Sequence, residues 1–136
     1  MCKVSKIIGI SPLLVCVAAF SLRAQEMPMS PQEREAKIYE AIEKSVEDYT
    51  ESLKLQDWQV FYVDSILTHN QFAMDKEMTA LQNSKVSNVD IYIKVQDEWM
   101  QKTYDAFHKV FDESQWARYL KMGAAREQKA RDKRKK

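Results

Sequence analysis

The 136 residues of this chain are 45% hydrophobic and 30% charged, with a formal net charge of +1 and only two glycines. Both cysteines, Cys2 and Cys16, lie in the first 24 residues, so the remainder has no thiol for a disulfide or for cysteine catalysis. The sequence also has no Gly-rich phosphate loop and no nucleophile elbow. We therefore expect no enzyme, no catalytic residue and no cofactor.

The first 24 residues have the pattern of a secretion signal. Two lysines form a basic start, residues 7–20 are mostly apolar, and Ala24 offers a cleavage point. The apolar run is shorter than the ~20 residues that a membrane span needs, and it contains Pro12. An uncleaved anchor and a lipoprotein signal at Cys16 are the alternatives. We predict that residues 1–24 are a cleaved signal peptide, that the protein is periplasmic or otherwise exported, and that no integral membrane segment remains.

Without that segment the net charge is −2, and it is unevenly distributed. Residues 25–125 carry a net charge of −7 and residues 126–136 a net charge of +5. We predict one helical domain over 25–125 and a basic tail, frayed or disordered, over 126–136. Export and an acidic body argue against a nucleic-acid partner. The basic residues of the tail, a candidate electrostatic patch, are Arg126, Lys129, Arg131, Lys133, Arg134, Lys135 and Lys136.

Near absence of glycine and proline after the start of the mature chain predicts helices joined by short polar links. The first helix should begin with Ser30 as N-cap, Pro31 in the first turn and Glu33 completing a capping box. Its apolar residues recur every three or four positions along one face, as a buried helical stripe requires. They are Ile38, Ile42, Val46, Tyr49 and Leu53.

Two segments 56 residues apart share a helix-start pattern, in which an apolar residue and a polar residue precede a glutamine. The first copy has Leu55 and Gln59, and the second has Phe111, Asp112 and Gln115. In this pattern the polar residue is the N-cap, and the glutamine side chain reaches back to the N-cap amide. Each copy is therefore predicted to end one helix and to begin the next.

The second helix should run from the first copy to about Asn83, and the third from an N-cap at Ser87 to Phe111, with Val86 and Ile91 packed across its first turn. A short fourth helix follows the second copy. We expect an all-α fold of about four helices, in which the two long ones are antiparallel and form a hairpin or cradle. The predicted buried stripe of the second helix comprises Val63, Ile66, Met74, Met78 and Leu81, widened by Phe61, Tyr62 and Phe72.

The repeated motif resembles the Leu-Thr-x-x-Gln signature of the Spy/CpxP-like periplasmic family, in which it opens a helix once in each half of the chain. Here Gln56 stands in place of the capping threonine, while Phe111 and Asp112 replace leucine and threonine. The resemblance covers about residues 45–128. It implies a thin, curved homodimer whose concave face holds unfolded proteins without ATP, or contacts an envelope sensor.

The resemblance makes the aromatic and methionine residues of the two long helices candidates for client binding, because methionine adapts to many partners. The alternative is that they form an ordinary core, since any packed helix shows a stripe at this spacing. The family's cradle is basic, so any electrostatic part of client binding is expected in the tail of this chain. The candidates are Trp58, Phe61, Tyr62, Phe72, Met74, Met78, Trp99 and Met100.

Metal binding has little support in the sequence, and we predict no metal site. His69 and His108 are the only histidines, and Asp105 is the one acid placed to share a helix face with His108. The sequence thus predicts a holdase chaperone or envelope-stress accessory protein that binds unfolded or partner envelope proteins. A dedicated sensor-regulating module is the alternative, and a metal-responsive protein using the two histidines is a third.

Overall fold

The computed structural model describes residues 28–136, so the predicted signal peptide lies outside the described residues. The helices are α1 (Pro31–Leu53), α2 (Asp57–Asn83), α3 (Val89–Val110), α4 (Glu113–Tyr119) and α5 (Ala125–Arg134), and a π-helical turn (Leu120–Ala124) joins α4 to α5. Residues 28–136 contain no strand, which confirms the predicted all-α fold. Within the described part of the chain, no helix is long and apolar enough to cross a lipid bilayer.

The long helices α2 and α3 form the predicted antiparallel hairpin. The Gln59 amide near the start of α2 donates to the Val110 carbonyl at the end of α3, 3.0 Å away. Further along, Asn70 donates to the Thr103 hydroxyl at 2.9 Å, and both of these side chains are buried. Helix α1 packs against α2, and its Tyr49 ring also contacts Phe107 of α3.

The start of α1 is confirmed. The Ser30 hydroxyl accepts from the Glu33 N–H at 3.2 Å, and the Glu33 carboxylate accepts from the Ser30 N–H at 3.0 Å. Pro31 is the first helical residue, where its missing N–H costs nothing. The helix ends at Lys54, which adopts a left-handed backbone conformation with φ 55°.

The start of α3 lies one residue later than predicted. Asn88, and not Ser87, is the N-cap, and its side-chain oxygen accepts from the Asp90 N–H at 3.0 Å. This shift moves Tyr92, instead of Ile91, to the fourth helical position. The Tyr92 hydroxyl donates to the Val86 carbonyl at 2.7 Å, while Ile91 is exposed. Asparagine caps a helix as well as serine does, so local preference alone does not distinguish the two starts.

At the start of α4, the Asp112 carboxylate accepts from the Gln115 N–H at 2.8 Å, as the motif predicted. Replacing Asp112 with alanine should therefore lower the free energy of unfolding by about 1 kcal/mol, because an N–H of the first turn loses its acceptor. Urea denaturation measures this. Asp112→Asn, which keeps a side-chain acceptor, is the matched control and should change stability by only a few tenths of a kcal/mol, as about equal N-cap preferences imply. An equal loss in both variants would contradict a capping role.

The core lies where α1, α2, α3 and α4 meet. The predicted stripe of α1 is confirmed, because Ile42 and Leu53 are buried and its other three residues pack against the core. On α2, the prediction that Phe61 and Tyr62 widen the buried stripe is wrong. At 100° per residue they point away from the Val63 face, and both are exposed. The buried apolar residues are Ile42, Leu53, Val63, Leu67, Phe107, Phe111, Tyr119 and Ala124.

The tail was predicted to be frayed or disordered, but residues 125–134 form the helix α5. The chain turns at Gly123, whose φ of 124° is a backbone conformation that side chains with a Cβ rarely adopt. After this turn α5 lies along α3, where Arg134 binds Asp97 through two bonds of 2.7 Å. The sequence of α5 has no apolar stripe, because the residue that this helix buries is a charged one, Arg131.

Candidate functional site

The two copies of the motif lie face to face in the structure. The side-chain amides of Gln59 and Gln115 are both buried and donate to each other, with nitrogen–oxygen distances of 2.6 and 2.9 Å. Each amide oxygen also accepts from the N–H of its own N-cap residue, Gln56 at 2.9 Å and Asp112 at 3.0 Å. Each glutamine therefore caps its own helix and binds the other glutamine.

The side-chain amides of Gln59 and Gln115 each make one further contact, and an approximate twofold symmetry relates the two contacts. Gln59 donates to the carbonyl of Val110 at 3.0 Å, and Gln115 approaches the carbonyl of Lys54 at 3.4 Å. Val110 and Lys54 are the residues that directly precede the two motif copies. The motif thus ties the end of α1 and the end of α3 together, and its glutamine side chains are buried structural groups.

Three of the candidate client-binding residues, Trp58, Phe61 and Tyr62, form a continuous exposed surface at the start of α2, here called the aromatic patch. Their exposed fractions are 52%, 67% and 51%. The Tyr62 ring lies edge-on to both neighbours, with centroids 6.1 Å from Trp58 and 5.7 Å from Phe61. The Trp58 indole N–H donates to the Gln56 side-chain oxygen at 2.9 Å. These contacts hold the three rings in a defined arrangement at the surface.

The other five candidates are partly buried and do not extend this patch. Phe72 packs against the core and lies 4.8 Å from the Tyr39 ring. The ammonium group of Lys102 lies 3.7 Å above the Trp99 ring. The methionine candidates Met74, Met78 and Met100 are also partly buried.

Two residues of the predicted electrostatic tail are engaged within the fold. Arg131 is only 4% exposed, and Arg134 binds Asp97. The hydrogen bonds from Arg134 lower the pKa of the Asp97 carboxyl. The other tail residues are exposed: Arg126, Lys129, Lys133, Lys135 and Lys136.

The two histidines lie beside different tryptophans. His108 stacks on Trp116 with centroids 4.2 Å apart, and His69 lies 6.2 Å from the Trp99 ring. Within residues 28–136, no group of three or more histidine, cysteine, aspartate or glutamate side chains is placed to hold a metal ion.

A polar cavity of about 220 Å³ lies beneath α5, and no pattern in the sequence predicts it. All five helices contribute to its wall. Burial first, and then nearby charges including that of Glu127, raise the pKa values of the Tyr49 and Tyr119 hydroxyls. Arg131 from α5 also lines the cavity. These side chains come from separate helices with no shared sequence pattern, so only the folded chain brings them together.

The raised pKa of Tyr119 predicts a loss of stability in alkali. A phenol whose folded-state pKa lies above its unfolded value contributes stability in full below about pH 10 and loses it as the pH rises through the folded pKa. Denaturant unfolding at increasing pH should therefore show wild-type stability falling faster than that of Tyr119→Phe above about pH 10. The difference in the free energy of unfolding between the two proteins near neutral pH is the reference value. A constant difference across the whole range would contradict the prediction.

A scan of protein-family models and searches of curated proteins and of solved structures found no match to this chain. The resemblance to the Spy/CpxP-like family therefore rests on the motif residues alone.

Proposed function

We propose that this protein is an exported, ATP-independent holdase of the Spy/CpxP-like type, active as a homodimer, which binds non-native proteins through the aromatic patch. The observation that supports this most directly is the exposure of Trp58, Phe61 and Tyr62 side by side, each more than half accessible to solvent. Contiguous exposed apolar surfaces are often sites of interaction with other proteins. A folded hairpin that presents three adjacent rings is suited to bind apolar segments of other chains.

The size of the patch suits weak and reversible binding. Covering about 100 Å² on each of three half-exposed aromatic rings, at about 25 cal/mol per Å², contributes roughly 7 kcal/mol. Part of that contribution is offset by the translational and rotational freedom that two molecules lose on association. The remainder corresponds to loose capture, which allows release without nucleotide hydrolysis.

Charges beside the patch add a preference. Asp57 and Asp64 are exposed on the same turns of α2 as the aromatic patch. Carboxylates at the rim favour positively charged partners and repel negatively charged ones. We therefore expect the patch to prefer client segments in which basic residues flank apolar ones.

The proposal is tested by light scattering of a chemically unfolded client that aggregates on dilution, with the protein added at increasing ratios. Wild type should suppress aggregation of several unrelated clients. The variant Trp58→Ser/Phe61→Ser/Tyr62→Ser should need about tenfold more protein or fail, because each 1.4 kcal/mol of lost binding is tenfold in affinity. The matched control is Val89→Ser/Ile91→Ser/Met122→Ser, which removes three exposed apolar side chains outside the patch and should act as wild type does.

Failure of the wild-type protein with all clients would contradict the holdase proposal. It would favour the dedicated sensor-regulating module, in which the same patch recognises one folded partner. Sedimentation of the same variants tests the homodimer. A patch variant that is monomeric while wild type is dimeric would assign the aromatic patch to the dimer interface and not to clients.

A further inference from the structure

Arg131 is a buried cation that forms no close ion pair within residues 28–136. Its side chain is 4% exposed, and its Nε atom has no hydrogen-bond partner among residues 28–136. One Nη atom donates to the Gln128 amide oxygen at 2.7 Å, and the guanidinium lies 5.6 Å from the Tyr104 ring centroid. In the described part of the chain the ion pairs join Arg34 with Asp75 and Arg134 with Asp97, and neither involves Arg131.

A buried guanidinium with an unpartnered N–H and no close ion pair is costly, so this arrangement favours binding of an anion. Arg131 lines the cavity of about 220 Å³ beneath α5, together with the tyrosines of α1 and α4, Tyr49 and Tyr119. A guanidinium and two phenol hydroxyls are hydrogen-bond donors suited to a carboxylate. Arg131, Tyr49 and Tyr119 line this cavity together with Glu127.

We propose that this cavity binds a small organic molecule with a single carboxylate, held by the Arg131 guanidinium and the Tyr49 and Tyr119 hydroxyls. Two apolar side chains, Leu67 and Met100, also lie in the wall, and they give an organic molecule an apolar contact that an inorganic ion cannot use. Exposed Glu127 also lines the cavity and repels each negative charge of a ligand, so a monoanion is preferred to a dianion.

A second cavity of about 230 Å³ lies beside this site. It adjoins the first between α1 and α5, and its wall includes Asp48 and Met122, which are both exposed. The two cavities share the lining residues Ser45, Tyr49, Tyr119, Ala124 and Glu127. A ligand held here contacts α1 and α5 at once, so its binding stabilises the docked position of α5.

Thermal unfolding tests the proposal with acetate and benzoate as probes, at constant ionic strength set with sodium chloride. A ligand that binds only the folded state raises Tm as its concentration passes Kd. Benzoate should raise Tm most and acetate less, while inorganic phosphate and the uncharged analogue benzamide should give no shift beyond that of the salt. Arg131→Gln should bind benzoate at least about tenfold more weakly, a loss of 1.4 kcal/mol. Arg126→Gln, an exposed arginine of the same helix, should bind as wild type does.

Three results would overturn the proposal: no Tm shift with benzoate, an equal shift in Arg131→Gln, or an equal shift with benzamide. Phosphate acting as strongly as benzoate would overturn the carboxylate assignment. If Arg131→Gln does not fold, amide NMR of the wild-type protein decides. Benzoate-induced shifts clustered at Tyr49, Thr103 and Tyr119 support the site, and shifts confined to other residues contradict it.

Discussion

Replacing Gln115 with leucine is expected to lower the free energy of unfolding by about 3 kcal/mol, because it removes four hydrogen bonds at a buried pair of amides. The Gln59 amide loses both of its bonds to Gln115, and the N–H of Asp112 and the carbonyl of Lys54 lose theirs. Each buried donor or acceptor left unpaired costs about 1–3 kcal/mol. Guanidinium or urea denaturation of the variant measures the loss.

A double-mutant cycle separates the contact between the glutamines from their roles as caps. Gln59→Leu should cost about as much as Gln115→Leu, since the pseudo-twofold arrangement gives it the same set of partners. The double variant should cost less than the sum by about 1–2 kcal/mol, because the mutual bonds can be lost only once. Additive losses would mean that the two amides act only as local caps.

The helix starts could be predicted because a cap is a local device. Ser30, Asp112 and Gln115 satisfy backbone groups within three residues, so the sequence alone contains the information. Even here, Ser87 and Asn88 have nearly equal preferences for the N-cap position. The structure uses Asn88, and with this start the Tyr92 hydroxyl donates to the Val86 carbonyl.

The pairing of the glutamines and the cavity beneath α5 could not be predicted in the same way. Gln59 and Gln115 meet only because α1, α2 and α3 pack with particular lengths and angles, and nothing local encodes the distance between them. From the sequence, Arg131 is expected to be one more exposed charge of the basic tail. It is buried because the turn at Gly123 lays α5 against α3, and the sequence indicates neither the direction nor the length of that turn.

Replacing Phe107 with alanine is expected to lower the free energy of unfolding by about 3–5 kcal/mol, the range for truncating a buried phenylalanine. Its side chain is fully buried. Ring centroids of Tyr49, Phe111 and Tyr119 lie 5.6, 5.1 and 5.5 Å from its own, so one residue joins α1, α3 and α4. A domain of this size has about 5–15 kcal/mol of stability in total, so the variant should approach global unfolding at moderate temperature. Calorimetry and urea denaturation measure the loss.

The same substitution at Phe61 is the matched control, because it removes the same atoms from an exposed ring in the aromatic patch. Phe61→Ala should change stability by less than about 0.5 kcal/mol, since little of that ring is buried by the fold. It should instead weaken the suppression of client aggregation, which Phe107→Ala affects only through loss of folded protein. Opposite outcomes for stability and client binding at these two phenylalanines would separate the core from the binding surface. A large stability loss at Phe61 would place that ring in an interface, with a second copy of the chain as the first candidate to test by sedimentation.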